Sequence, residues 1–222
     1  MEFSLEIACF NKESALIAAA HGADRIEFAD DYASGGITPS FEDFREIRAQ
    51  IKLPIYILIR CRPGDFNYSD AEMEEMVKSI NLFRQAGADG FVFGCLNNEN
   101  CIDIESTGKL FKAASPLPCT FHRAFDRLSD MKEGLEQIID MGFRYILTSG
   151  GARTAWDGID KLNELSNQAG GRICIMPGGG IRSGNISSIR DKFAGAWFHS
   201  AGITGNEPVA NPQEIKKLKQ IS

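Results

Sequence analysis

The chain has 222 residues, of which 43% are hydrophobic, enough for one large α/β domain with a sizeable core. Its 24 basic and 30 acidic residues leave a net charge of -6, which speaks against a nucleic-acid partner, since such partners demand a basic surface. The acidic first residues resemble no leader peptide, no apolar stretch is long enough for a bilayer, and the six cysteines form no Cys-x-x-Cys pair. A cytoplasmic protein with reduced thiols and no membrane partner is expected.

Short apolar runs alternate with longer helical patterns along the whole chain. Residues 3–9 read as a strand and 12–21 as an Ala-rich helix closed by Gly22. Residues 25–28 form a short strand, and a long loop containing Gly35-Gly36 leads to Ser40, which caps a helix to about residue 50. Pro54 opens the branched strand 55–60, and Ser69-Asp70 starts a helix that runs to residue 85. The cycle repeats with strand 90–95, helix 102–114, strand 119–122 and helix 129–141. It continues with strand 143–148, helix 156–168, strand 173–176, helix 183–193, strand 196–200 and helix 212–221.

Eight strands and eight helices in strict alternation predict a single (β/α)8 TIM barrel spanning residues 1–222. An open doubly wound sheet would leave edge strands, and a count of eight fits closure better. Three helix-to-strand joints, at Gly22, Gly87 and Gly142, place a glycine where the chain leaves a helix in a left-handed turn.

In such a barrel the site lies at the carboxyl ends of the strands, and the polar residues of this sequence fall there. Glu6 stands between Leu5 and Ile7, so alternation points it to the opposite face, into the barrel and toward a cation that Arg60 or Arg123 could supply. Glu27 stands near the end of the second strand and Arg60 at the end of the third. The fifth strand ends in His122-Arg123, the sixth in Thr148-Ser149-Gly150 and the eighth in His199-Ser200. Glu6, Glu27, Arg60, His122, Arg123 and His199 are the expected catalytic residues, whereas His21, at a helix end, is expected to be solvated.

An anion-binding element is expected late in the chain. Met176-Pro177-Gly178-Gly179-Gly180-Ile181 precedes a helix expected from Ser183, and such a start offers free N–H groups. Ser149, Gly150 and Ser200 supply neighbouring donor-rich turns, and the expected ligand is a small anion.

Several stretches also carry a family resemblance. Gly22-Ala23-Asp24-Arg25-Ile26-Glu27, Gly35-Gly36-Ile37-Thr38-Pro39-Ser40, Gly64-Asp65-Phe66-Asn67-Tyr68-Ser69-Asp70, Thr120-Phe121-His122-Arg123-Ala124-Phe125-Asp126 and Met176-Pro177-Gly178-Gly179-Gly180 resemble the CutC family in order, from about residue 4 to about residue 202. The resemblance implies a cytosolic barrel, a homo-oligomer such as a dimer, and an association with copper homeostasis. Two departures bear on copper: Phe28 stands where relatives often carry a cysteine after the second-strand glutamate, and Cys61-Arg62-Pro63 replaces a common Arg-Pro-Arg run.

Two functions compete. One is an enzyme with Glu27 or Glu6 as base, His122 as acid or electrophile, and Arg60 and Arg123 stabilising negative charge. The other is a non-catalytic copper(I) binder using Cys9, Cys61 or Cys95 at the mouth, joined by His122 or His199. No dedicated metal motif is present, so copper is expected as a cellular association rather than a bound ion.

Overall fold

The computed structural model describes residues 3–220. Eight parallel strands alternate with eight helices among these residues. The first half runs β1 (Ser4–Cys9), α1 (Lys12–Ala20), β2 (Arg25–Phe28), α2 (Phe41–Arg48), β3 (Ile55–Leu58), α3 (Asp70–Gln85), β4 (Gly90–Phe93) and α4 (Ile104–Ala114). The second half runs β5 (Cys119–Phe121), α5 (Met131–Met141), β6 (Tyr145–Thr148), α6 (Ile159–Ala169), β7 (Cys174–Pro177), α7 (Ile186–Lys192), β8 (Trp197–Ser200) and α8 (Pro212–Gln220). The expected helix end at residue 221 lies outside the described residues.

Each strand pairs with its sequence neighbour, and β8 returns to β1 with Glu6 opposite His199. No ladder joins β7 to β8 among the described residues, although the two lie side by side. Side chains close that seam near its carboxyl end. The Ser200 hydroxyl donates to the Ile181 carbonyl, and Arg182 donates to the Ile203 carbonyl and to Ser200 Oγ.

Local chemistry sets the helix ends. Ser69 accepts from the Glu72 N–H while the Glu72 carboxylate accepts from the Ser69 N–H, a reciprocal cap that starts α3. Gly22, Gly87 and Gly142 have φ of +108°, +92° and +92°, as the sequence led us to expect for the turns back into the sheet. Expected boundaries were too generous at loops that carry polar residues: β3 stops at Leu58 rather than residue 60, and α6 starts at Ile159 rather than 156. Backbone partners there go to loop atoms instead, as where the Arg60 carbonyl accepts from the Thr38 N–H.

The main apolar core lies between barrel and helices, where Leu5, Ile7, Phe91, Phe93 and Phe121 are buried. Emptying one of these phenylalanine positions would cost about 3–5 kcal/mol. The barrel interior is different and mixes buried charges with a small apolar cluster that includes Leu58 and Val92. Its lower part holds the Arg25 guanidinium at 4.1 Å from the ring centres of Tyr56, Tyr145 and Trp197. Gly90 leaves room for the Tyr56 ring, which a Cβ there would meet at 2.6 Å.

Candidate functional site

Glu6 and Arg25 form the floor. The Arg25 Nε donates to Glu6 Oε2 at 2.5 Å, and His199 Nδ1 meets Glu6 Oε1 at 2.7 Å. Burial alone would raise the Glu6 pKa, but the Arg25 charge and the His199 hydrogen bond outweigh it and leave the pKa below the usual carboxylate value. Glu6 points into the barrel as alternation requires, but its cation is Arg25, not Arg60 or Arg123. Arg25 shares the inward face of β2 with Glu27, so the alternation argument applied to Glu6 could have found it.

Above the floor opens a cavity of about 300 Å³. Glu27, Arg60, His122, Arg123, His199, Gly179, Gly180 and Ser200 line it, as do Tyr32 and Arg182. Glu6, Ser149, Gly150 and Gly178 do not line it; Glu6 lies beneath, and Ser149 acts through Arg123.

Among the described residues, three that line this cavity each have a buried side-chain atom without a hydrogen-bond partner: Glu27 Oε2, His122 Nε2 and Arg60 Nε. Burial, helped by the Glu6 charge, pushes the Glu27 pKa up to about 7 against the pull of His199 and Arg25. Burial and the Arg60 charge push the His122 pKa down to about 3, so its ring is neutral. The Ala124 N–H donates to His122 Nδ1 at 3.3 Å, which assigns the proton of the neutral ring to Nε2. His122 thus keeps a buried N–H, and Glu27 a buried carboxyl oxygen, without a partner in residues that line the cavity. His199 is the opposite case: burial works against its protonation, but Glu27 and Glu6 together raise its pKa.

The arginines divide their tasks. Arg60 donates to the Ser34, Gly36 and Gly64 carbonyls, tying together the loops after β2 and β3 and leaving only its buried Nε without a partner. Arg123 bridges Asp126 and Ser149 at 2.7 Å each and lies over Gly179, where a Cβ would stand 3.2 Å from its Nη1. Asp126 also accepts from the Ser149 and Gly151 N–H groups, which orders the loop after β6.

The expected anion site at a helix start near Ser183 is corrected. The helix begins at Ile186, and Ser183 donates through N–H and hydroxyl to the Glu214 carboxylate of α8 at 2.6 and 2.7 Å. An internal carboxylate already occupies those donors. Gly179 and Gly180, with φ of +99° and +74°, remain at the cavity wall. Arg182, Tyr32 and Phe10 were missed by the sequence reading. Arg182 stands two residues after the last glycine of the turn, which was signal enough, whereas the Tyr32 contact with Phe10 arises only from loop packing.

Glu6, Glu27 and His199 bring three donor atoms within 4.8 Å of one another. Oxygen and nitrogen donors are a poor match for copper(I), and Glu6 already has one oxygen on Arg25 and the other on His199. The group is thus connected as an acid–base network. None of the six cysteines lines the cavity. Cys9 is buried with its thiol pKa raised well above normal, and burial pushes Cys95 to about 12.

The architecture is that of a (β/α)8 barrel protein with a polar pocket at the carboxyl ends of its strands. Residues 3–204 match the model of the CutC family, and the chain belongs to that family. It is 41% identical over 197 residues to the copper homeostasis protein cutC homolog of Homo sapiens, covering 89% of this chain and 72% of that one. It is 42% identical over 199 residues to the family protein CutC of Bacteroides thetaiotaomicron, covering 89% and 80%. The crystal structure of the putative copper homeostasis protein CutC from Streptococcus agalactiae superposes with a TM-score of 0.86 at 30% identity, covering 91% of this chain and all of that one. Phosphoribosyl anthranilate isomerase from Thermotoga maritima shares the fold at a TM-score of 0.63 and 16% identity, covering 97% and 96%.

Proposed function

We propose that this chain is a cytoplasmic enzyme of the lyase or isomerase type, acting on a small anionic metabolite in the cavity above Glu6. The observation that carries this reading is that Glu27 and His122 line one cavity and that each has a buried, unpartnered atom, Glu27 Oε2 and His122 Nε2. A carboxyl with a pKa of about 7 is matched to proton abstraction at neutral pH. A neutral imidazole N–H can polarise a carbonyl without first losing its proton. Arg123 and the Gly179–Gly180 backbone would hold the anionic group, while Arg60 keeps the surrounding loops in place.

Titration calorimetry with inorganic phosphate and with pyruvate tests the anion site. Binding of at least one probe, weakened about tenfold or more in Arg123→Ala, is expected from loss of a charged hydrogen bond. No binding of either probe, with Arg123→Ala altering only the melting temperature, would sink the reading. The link of relatives to copper homeostasis is then metabolic rather than chelating, a reading supported by the absence of any thiol from the cavity lining. Light scattering would test the dimer that the family resemblance implies.

A further inference from the structure

The reading above assigns no task to His199, although it closes the cavity on the β8 side. Its Nδ1 is bound by Glu6, and Glu6 is bound by Arg25, which is enclosed by Tyr56, Tyr145 and Trp197. All of this is built inside the barrel, with Arg25 and Glu6 at 2% and 0% exposure. A carboxylate held by an arginine requires a proton on the facing imidazole nitrogen, so the Nδ1 proton is fixed and Nε2 is left for other chemistry. Glu27 places a carboxylate oxygen within 4.8 Å of the donor atoms of this pair.

We propose that Arg25 and Glu6 are positioning residues that hold His199 as a proton donor beside Glu27, so that the site eliminates a leaving oxygen from a small anionic β-hydroxycarbonyl compound. The proposal rests on Glu27 being the base. Glu27 takes the proton from the carbon next to the carbonyl, and the C–H electron pair becomes the new carbon–carbon double bond. The bond from the adjacent carbon to its oxygen breaks, the electron pair leaves with that oxygen, and the His199 imidazolium gives it the Nε2 proton. The products are an unsaturated carbonyl compound and water, with no change in oxidation state overall. The proton on Glu27 then returns to His199, directly or through one water, and restores the starting state.

The charges around His199 fit this cycle. Glu6 faces it from β1, and Arg25 and Glu27 from β2. Arg182, after β7, and Arg123, after β5, line the same cavity. Cys174 at the start of β7 is kept neutral by burial, which raises its pKa to about 11. His122, held neutral on the strand-five side, cannot serve as the strong acid that a departing hydroxyl needs. Two histidines whose pKa values move in opposite directions separate carbonyl polarisation from leaving-group protonation.

The test uses 4-hydroxy-2-oxobutanoate as the probe, followed by proton NMR in heavy water. Exchange of the hydrogens next to the carbonyl reports the Glu27 step, and the appearance of the vinyl product reports elimination. The wild-type protein should do both, and Glu27→Gln should lose both. His199→Gln should lower elimination about 100-fold more than exchange, as expected for removal of a general acid. In Glu6→Gln, the fall of elimination rate with rising pH should move to lower pH, and Arg25→Lys should recover more elimination than Arg25→Met. Elimination unchanged in His199→Gln, or exchange in the wild type without elimination, overturns the proposal and leaves Glu27 as base. No exchange by the wild type removes Glu27 as base and the proposal with it. Nitrogen NMR of the histidine rings decides independently of any variant's folding: a His199 ring carrying a single proton at pH 7 refutes the proposal.

Discussion

Glu6 and Glu27 lie on adjacent strands inside one barrel, and both are buried. Glu6 has both oxygens bonded and is held ionised, whereas Glu27 leaves Oε2 open and keeps a pKa of about 7. Burial is common to the two; the difference is who answers the charge. A buried charge with complete partners belongs to the framework, and one denied partners stores reactivity that folding alone would not select.

The largest expected effect tests the floor. Arg25→Met leaves the Glu6 carboxylate buried without its cation and should cost about 3–5 kcal/mol in urea unfolding. Glu6→Gln should cost a similar amount, and the double variant less than the sum. If either single change proves neutral, the division between framework and reactive carboxylates is wrong.

The next effect is on pH dependence. Glu27 has a folded pKa raised to about 7 from an ordinary value of about 4.3, so its contribution is complete below pH 4.3 and is lost as pH rises toward 7. The raised His199 acts in the same direction, as pH rises through its folded pKa. His122, lowered to about 3 from about 6.5, acts oppositely: its contribution is present above pH 6.5 and is lost as pH falls toward 3. Glu27→Gln should therefore gain on the order of 3–4 kcal/mol relative to the wild type as pH rises from about 4.3 to about 8, while the acid-side loss from His122 remains. A wild-type and variant pair with parallel stability curves would show that Glu27 ionises normally.

Smaller effects are expected at the rim. Arg123 is 42% exposed in its side chain, so Arg123→Ala should change stability by less than about 1 kcal/mol while weakening the anion probes. The smallest effect concerns copper. Cys9→Ser and Cys61→Ser should leave copper(I) retention against a competing thiol chelator unchanged, because the wild type should retain none; stoichiometric retention by the wild type would favour the copper-binding reading.

The barrel was legible because alternation of short strands and capped helices is written locally, in glycines at helix ends and in Ser40 and Ser69 at helix starts. The residues at the mouth were legible because strand ends locate it. What escaped was anything decided by partners far apart in sequence. Arg60 is rich in neighbours only because the loops holding Ser34 and Gly64 fold over it. Likewise, Glu214 reaches Ser183 across 31 residues, which no local pattern announces.

The seam between β7 and β8 has a mechanical consequence. Seven junctions of this barrel are sewn by backbone ladders, and the eighth is held by the fastenings of Arg182 and Ser200. A hoop with one clasp can change its girth at the clasp while every other stave keeps its spacing. Gly178 and His199 face each other across that junction, so on its β7 side the wall carrying His199 is fastened by side chains alone, and on its β1 side by a ladder.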